Sequence, residues 1–163
     1  KEYEGALKIY RTTDNGIFWK ITMIEGLILT KLNTFSSDEG SVYHCLRSDD
    51  PNYVGFGESY FSFINYNAIK AWKIHQEMTL NLVVPIGMVR FNFIDIREYS
   101  ETFGERIEVT LSFSNYQRIT VPPNVLFGFK GVGEDINMIS NITDMVHTDK
   151  ECINVDINKY EFK

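Results

Sequence analysis

Short runs of β-branched and aromatic residues recur along the chain, and turn-forming residues separate them. Glu58–Ile64 and Met88–Asp95 are two such runs, and Asp49-Asp50-Pro51 and Pro122-Pro123-Asn124 are two of the turns. No segment repeats its apolar residues with the period of a long helix. Many short strands at regular spacing are typical of a sandwich or barrel. The pattern therefore predicts an all-β fold with few or no helices.

The individual strands can be placed from the same pattern. A hairpin around Asp14-Asn15-Gly16 is predicted within residues 1–23. No linker or repeat interrupts the chain, so residues 1–163 are predicted to form a single domain with 1–23 as an extension. Ten further strands are predicted at Leu27–Leu32, Ser41–Leu46, Glu58–Ile64, Ala68–Gln76, Leu80–Val84, Met88–Asp95, Arg106–Phe113, Gln117–Val121, Val125–Lys130 and Ile136–Ile142.

Composition narrows the classes of partner. Of 163 residues, 44% are hydrophobic and 14% aromatic, which is typical of a globular protein with a sizeable core. The net charge of −6 argues against nucleic acid or an anionic membrane surface as a partner. No apolar run reaches membrane-spanning length. Cys45 and Cys152 lack a CxxC pattern, so two reduced thiols and a cytoplasmic location are expected.

Residues 68–87 carry a lysine and a histidine of particular interest. Lys73-Ile74-His75 alternates as a strand does, so Lys73 and His75 are expected to project on the same side. Lys70 and Trp72 would project on the other side, so either side could present a cation to a cavity. A lysine beside a histidine inside a barrel favours proton chemistry on a small molecule over metal binding.

The same stretch resembles the first motif of the cupin superfamily, in which two histidines and a glutamate bind a metal. The corresponding positions here are Lys73, His75 and Leu80, so one of the three usual ligands is present. In the second motif, Phe127 stands where the fourth ligand, a histidine, would be. Transition-metal sites normally have three or four ligands. The resemblance therefore implies a metal-free cupin without a cofactor.

A closer resemblance is to the dTDP-4-dehydrorhamnose 3,5-epimerase family, and it covers residues 24–156. Asp95-Ile96-Arg97 followed by Ser100-Glu101-Thr102-Phe103-Gly104 is similar to the family's Asp-x-Arg and Ser-Pro-Thr-Phe-Gly. The resemblance implies a jelly-roll barrel, usually a homodimer, that acts without a cofactor. Its substrate would be a nucleotide-linked 4-keto-6-deoxy sugar in deoxysugar or glycan biosynthesis. Further matching segments are Ile24-Glu25-Gly26-Leu27, FSSDEG at 35–40, Glu58–Ser62 and Val121-Pro122-Pro123.

The resemblance also implies what the site must supply. A 4-keto group acidifies the protons on C3 and C5. Inversion then needs a base on one face of the sugar, an acid on the other and a group that stabilises the enolate. The family's base is the histidine of an Arg-Gly-Leu-His strand. Here Lys70-Ala71-Trp72-Lys73 falls at that place, with His75 two residues later. The family's acid is a tyrosine after a Thr-Asp pair. Thr143-Asp144 matches the pair, but Met145 follows, and His147 is the nearest titratable residue.

Three further expectations concern acidic residues. Glu39 falls where the family has an arginine that helps to hold the nucleotide phosphates. The family's C-terminal aspartate, which supports the base, is expected beyond Lys163. Glu151 lies in an acidic segment near His147, which is interpreted as a solvated turn.

Two hypotheses follow from these residues. In the first, the protein is a divergent nucleotide-sugar epimerase or isomerase. His75 or Lys73 is then the base, and the other residue orients it or stabilises the enolate. The candidate acids of the opposite face are Tyr66, Tyr116 and His147. In the second hypothesis, the barrel binds a sugar or nucleotide sugar without catalysis. Its binding groups would be Lys70, Trp72, Lys73, Asn81 and Phe129.

Overall fold

The structure, a computed structural model, describes residues 24–162. These residues contain twelve β-strands, one turn of 3-10 helix and no α-helix. None of their helical segments is long and apolar enough to cross a membrane. The predicted hairpin within residues 1–23 lies outside the described residues. The strands are β1 (Ile28–Lys31), β2 (Thr34–Ser37), β3 (Gly40–Tyr43), β4 (Glu58–Ile64), β5 (Ile69–His75), β6 (Leu80–Ile86), β7 (Met88–Asp95), β8 (Arg106–Ser112), β9 (Gln117–Val121), β10 (Val125–Gly131), β11 (Asn137–Thr143) and β12 (Cys152–Asn154), and the helical turn covers Ile157–Lys159.

Ten of the described strands form two antiparallel sheets of five strands each. The first sheet has the order β1-β9-β6-β11-β4, and the second has the order β12-β5-β10-β7-β8. β2 and β3 pair with each other in a separate hairpin. Most neighbours within a sheet are distant in sequence, as in β6 beside β11 and β5 beside β10. The predicted all-β jelly-roll sandwich is confirmed.

The two sheets enclose one apolar core. Val89, Phe91 and Phe93 alternate along β7, and none of the three is exposed to solvent. They pack with residues of the first sheet such as Leu80 and Leu82. A side chain of this size contributes about 1.5–3 kcal/mol when it is fully buried. The period of two along each strand therefore places enough apolar surface between the sheets to hold them together.

A smaller apolar cluster covers the other face of the second sheet. Trp72, Ile94 and Leu126 are buried there. Tyr160 and Phe162, from the C-terminal segment, pack against them. The indole Nε1 of Trp72 donates a hydrogen bond to the carbonyl oxygen of Tyr160 at 3.2 Å. This segment explains why both faces of the second sheet are buried near β5.

The sequence pattern located most strands of the described region. The ten strands predicted after residue 23 are present, and their ends differ from the prediction by up to three residues. The pattern missed β2 and β12, which have only four and three residues. Runs this short contain too little alternation to be recognised as strands.

Asp95, at the end of β7, is the centre of a buried polar cluster. Arg97 donates to it through Nε at 2.8 Å and through Nη2 at 2.7 Å. The hydroxyls of Ser100 and Thr102 donate at 2.7 and 2.6 Å. Arg97 also donates to the carbonyl oxygen of Glu25 at 2.7 Å, which ties the chain before β1 to this loop. Burial would raise the pKa of Asp95, but these hydrogen bonds outweigh it and hold the pKa well below its ordinary value.

We predict that Asp95→Asn lowers the free energy of unfolding by about 3 kcal/mol, because it leaves the buried Arg97 without its counter-charge. The stabilisation by Asp95 is fully present above the ordinary aspartate pKa of about 3.9, and it is lost as the pH falls toward the lower folded-state pKa. Urea unfolding between pH 7 and pH 2 measures both effects. The variant should lose less stability on acidification than the parent. The exposed Asp135→Asn is the control, and an equal loss in both variants would contradict the prediction.

Candidate active site

A cavity of about 650 Å³ lies between the two sheets, a size suited to a small-molecule ligand. The second sheet and the segment around β12 contribute most of its ionisable groups. The first sheet contributes the carboxylate of Glu58 together with hydroxyl and amide groups. Its lining consists of Glu58, Tyr60, Ser62, Lys70, Lys73, His75, Leu82, Phe91, Phe127, Phe129, Ile139, Asn141, His147 and Cys152.

Strand β5 supplies three basic side chains to the cavity: Lys70, Lys73 and His75. Lys73 and His75 share a side, as their alternation predicts. Lys70 would point away in a regular strand, but the pairing of β5 with β10 shifts register between Phe127 and Phe129. This shift allows Lys70 and Lys73 to line the same cavity.

Gly128 makes the register shift sterically possible. A Cβ atom at this position would lie 2.5 Å from the Cβ of Ala71, closer than two non-bonded carbon atoms approach each other. Absence of a side chain therefore lets β5 lie against β10 at the shift.

His75 is held by a buried carboxylate that the sequence reading did not identify. Its Nδ1 lies 2.6 Å from Oε2 of Glu151, and the two residues are 6% and 5% exposed. The backbone N–H of Met78 donates to the other carboxylate oxygen at 3.2 Å. Burial would raise the pKa of Glu151, but the hydrogen bond and charge of His75 outweigh it and lower the pKa. A carboxylate in this position fixes the orientation of an imidazole and stabilises its protonated form.

One expectation about an acidic residue is therefore wrong. Glu151 is buried against His75, so it is not part of a solvated acidic turn. The carboxylate that contacts His75 comes from the segment before β12. Glu39 lies exposed in the turn between β2 and β3 and does not line the cavity.

Lys73 places a cation next to the His75–Glu151 pair. Its Nζ lies 3.9 Å from Sγ of Cys152, the residue that pairs with His75 across β5 and β12. Burial raises the pKa of the Cys152 thiol, although Lys73 acts in the opposite direction. The thiol is therefore neutral at physiological pH, and the ammonium group of Lys73 is not used up in an ion pair with it.

The facing wall of the cavity carries a tyrosine and an amide. Tyr60 and Asn141 lie opposite each other in the pairing of β4 with β11. The amide Nδ2 of Asn141 donates to the phenolic oxygen of Tyr60 at 2.8 Å, while Oδ1 is buried without a hydrogen-bond partner. Burial raises the pKa of Tyr60, and this outweighs the opposite effect of Asn141. Tyr60 is therefore a neutral phenol whose own proton is free to point into the cavity.

Five of the nine sequence-predicted site residues line this cavity: His75, Lys73, Lys70, Phe129 and His147. The imidazole of His147 is on the same side as that of His75, with the ring centroids 6.4 Å apart. His147 therefore does not face His75 from the opposite wall, so the prediction of His147 as an opposite-face acid does not fit its position.

The other four residues lie outside the cavity. Trp72 is buried under the C-terminal segment, so it offers no stacking face to a ligand. Asn81 is buried. It accepts a hydrogen bond from the hydroxyl of Thr120 and donates one to the carbonyl oxygen of Ile142. The remaining two are tyrosines: Tyr116 packs against Tyr43 and contacts Sγ of Cys45 at 3.3 Å, and Tyr66 is 49% exposed.

Sequence reasoning missed Tyr60 because the family's acid follows a Thr-Asp pair. A usable signal did exist, since Tyr60 and Ser62 alternate along β4 and share one side of it. Recognising that side as the cavity wall required the pairing of β4 with β11, which no local pattern reveals.

A jelly roll that encloses an imidazole–carboxylate pair, a lysine and a facing tyrosine has the fold and the groups of a cupin-type sugar epimerase. Comparison with known proteins identifies the family. The model of the dTDP-4-dehydrorhamnose 3,5-epimerase family matches residues 21–163, and the chain belongs to this family.

Curated relatives agree with this assignment. The chain is 30% identical over 131 residues to the probable low-salt glycan biosynthesis epimerase Agl13 of Haloferax volcanii. The match covers 77% of this chain and 84% of that protein. It is 28% identical over 123 residues to the spore coat polysaccharide biosynthesis protein SpsL of Bacillus subtilis, covering 76% and 82% of the two chains.

Solved structures agree as well. A dTDP sugar isomerase from Desulfovibrio desulfuricans is similar with a TM-score of 0.81 and 36% identity, covering 84% of this chain and 88% of that one. An epimerase from Legionella pneumophila in complex with dTDP-4-keto-L-rhamnose shares the fold, with a TM-score of 0.75, 18% identity and coverage of 83% and 76%. The predicted family and the predicted epimerase class are confirmed, and the binding-only alternative is not favoured.

Proposed function

We propose that this protein epimerises a nucleotide-linked 4-keto-6-deoxy sugar at a carbon next to the ketone, with His75 as the base. The observation that carries the proposal is the 2.6 Å hydrogen bond between buried His75 and Glu151 at the wall of a sugar-sized cavity. The family assignment supports the reaction class.

The first step is removal of a proton from the carbon beside the ketone. Glu151 holds Nδ1 of His75, which leaves Nε2 to take the proton. The imidazolium that forms is stabilised by the adjacent carboxylate. Because the C–H electrons move onto the ketone, the intermediate is an enolate. Lys73, two residues from His75 on the same side of β5, supplies a positive charge for the enolate oxygen.

The second step returns a proton to the opposite face of the same carbon. Tyr60 lies on the facing sheet, and we assign the proton donor there to its phenol, which lines the cavity. Asn141 donates to the phenolic oxygen, so it orients the hydroxyl and lessens the negative charge left after proton transfer. The phenolate then regains a proton from solvent. Asn141 Oδ1 is available to accept a hydrogen bond from a sugar hydroxyl.

Lys70 and Phe129 are proposed to bind the rest of the substrate. Lys70 Nζ donates to the carbonyl oxygen of Phe63 at 3.0 Å and retains protons for a phosphate oxygen. Phe129 offers an apolar surface within the same cavity. No residue in this scheme requires a cofactor.

Deuterium exchange tests the reaction class. In heavy water, the protein is expected to incorporate deuterium at C3 or C5 of a 4-keto-6-deoxyhexose linked to dTDP, CDP, GDP or UDP, measured by mass spectrometry. His75→Asn should lower the exchange rate by about 100-fold or more because it removes the base, and Glu151→Gln by about 10- to 100-fold because it removes the orienting carboxylate.

His44→Asn is the matched control, since His44 packs against Phe35 outside the cavity lining. Absence of exchange with every sugar nucleotide would disprove the proposed function. An unchanged rate in His75→Asn would assign the base to Lys73 instead.

Tyr60→Phe tests the acid independently of the base. Proton abstraction by His75 continues in this variant, so deuterium should still enter the substrate. Inversion should fall by about 100-fold or more because no proton arrives on the opposite face. NMR of the recovered sugar separates the two outcomes, since the variant returns deuterated substrate of unchanged configuration. The control is Tyr99→Phe, at a tyrosine that is 79% exposed. Inversion at the parent rate would exclude Tyr60 as the acid.

We further propose that the protein is a cytoplasmic homodimer. Two free cysteines fit a reducing compartment. Phe61 and Phe63 on the outer side of β4 are 64% and 58% exposed, and β4 is at the edge of its sheet. Exposed apolar surface on an edge strand is suited to cover by a second copy.

Light scattering after size-exclusion chromatography is expected to give about twice the chain mass of 18.9 kDa. A double change of Phe61→Ser and Phe63→Ser should shift the protein toward the monomer, since it removes the apolar patch. Phe103→Ser, at an equally exposed phenylalanine away from β4, should leave the mass unchanged. A monomeric parent protein would contradict the proposal.

A further inference from the structure

His75, His147 and Glu151 form a constellation that proton transfer does not fully use. One potential ligand atom from each lies within 4.8 Å of the other two. Oε2 of Glu151 is 2.6 Å from Nδ1 of His75 and 3.9 Å from Nδ1 of His147. The distance to His147 is too long for a hydrogen bond, so the imidazole of His147 lies near the His75–Glu151 pair but is not hydrogen-bonded to Glu151. His147 is 45% exposed, which leaves the group open to solutes.

We propose that these three residues form an inhibitory Zn²⁺ site. Two imidazole nitrogens and one carboxylate oxygen are a donor set that Zn²⁺ accepts readily, with a fourth position left open for water. Mg²⁺ and Ca²⁺ prefer sites made of oxygen atoms, so they fit this set poorly. His75 is the one proposed ligand that also stands at a cupin motif position. His147 and Glu151 lie outside that motif.

The distances allow this ligation after small movements. With Zn–N and Zn–O bonds of about 2.1 Å, the ligand atoms of a tetrahedral site are about 3.4 Å apart. His75 and Glu151 would separate slightly from their 2.6 Å contact. His147 would approach from 3.9 Å. It lies in the segment between β11 and β12 and is half exposed, so this approach disturbs no packed core residue.

Bound Zn²⁺ would stop proton abstraction. The metal would occupy Glu151 and a nitrogen of His75, so the carboxylate could no longer orient the imidazole and the proposed base would be engaged by a cation. Inhibition rests on the proposed function, whereas metal binding itself does not. The two parts can therefore be tested separately.

Calorimetry with Zn²⁺ and absorption spectroscopy with Co²⁺ test binding in the absence of sugar nucleotide. One ion is expected to bind per chain, and Co²⁺ should show the visible bands of a tetrahedral N/O site. His147→Gln and Glu151→Gln should each weaken Zn²⁺ binding at least tenfold. The chain has three histidines, and His44→Gln is the matched control that should bind as the parent does. Circular dichroism verifies that each variant is folded.

Two results would overturn the site. They are absence of binding at millimolar Zn²⁺ and unchanged affinity in His147→Gln. If His147→Gln keeps its affinity while Cys152→Ser loses binding, the metal is held by a thiolate site instead. Inhibition is tested by measuring the deuterium-exchange rate of the parent protein with Zn²⁺ and again after chelation with EDTA. Each rate is compared with the rate of the metal-free parent protein. Loss of at least tenfold, restored by EDTA, supports it. Full exchange by a Zn²⁺-saturated protein would overturn it.

Discussion

The candidate site depends on how β5 is paired on its two edges. On one edge, the register shift opposite Gly128 lets Lys70 and Lys73 line the same cavity. On the other edge, β12 pairs Cys152 with His75 and so brings the preceding residue, Glu151, against the imidazole. Backbone hydrogen bonds thus position Lys73, His75 and Glu151 relative to one another. The small clearance at Gly128 shows that this strand arrangement has little freedom to change.

The His75–Glu151 contact serves packing and chemistry through one interaction. Burying a carboxylate is costly unless a charge or hydrogen-bond donor compensates for it. His75 compensates for Glu151, and Glu151 in turn holds one nitrogen of His75, so the other is left for a ligand. His147 stands 3.9 Å from the same carboxylate. This third group, absent from the proton-transfer scheme, is what makes the same wall of the cavity suitable for a metal ion.

The sequence predicted those features that follow from regular alternation. Met88–Asp95 was placed correctly because its period of two is imposed by one buried core. Lys73 and His75 share a side for the same reason. The sequence did not reveal Glu151, whose partner is 76 positions away, because local periodicity carries no information about a distant contact. It also misplaced Trp72, since an aromatic residue suited to stacking on a sugar is equally suited to packing under a C-terminal segment.

The family's reaction requires the base and the acid to approach opposite faces of the sugar. It places less constraint on where in the sequence these two residues stand. Moving a base by two residues along a strand leaves it on the same wall of the cavity. His75 and Lys73 line the same cavity, so a base at either position would approach the sugar from the same wall, and the other residue would add a cation there. The proposed acid is relocated much further, to Tyr60 on β4. It still comes from the sheet that faces β5, so base and acid remain on opposite sides of a bound ring. Such a site can change its residues in sequence and retain the one geometric relation that inversion requires.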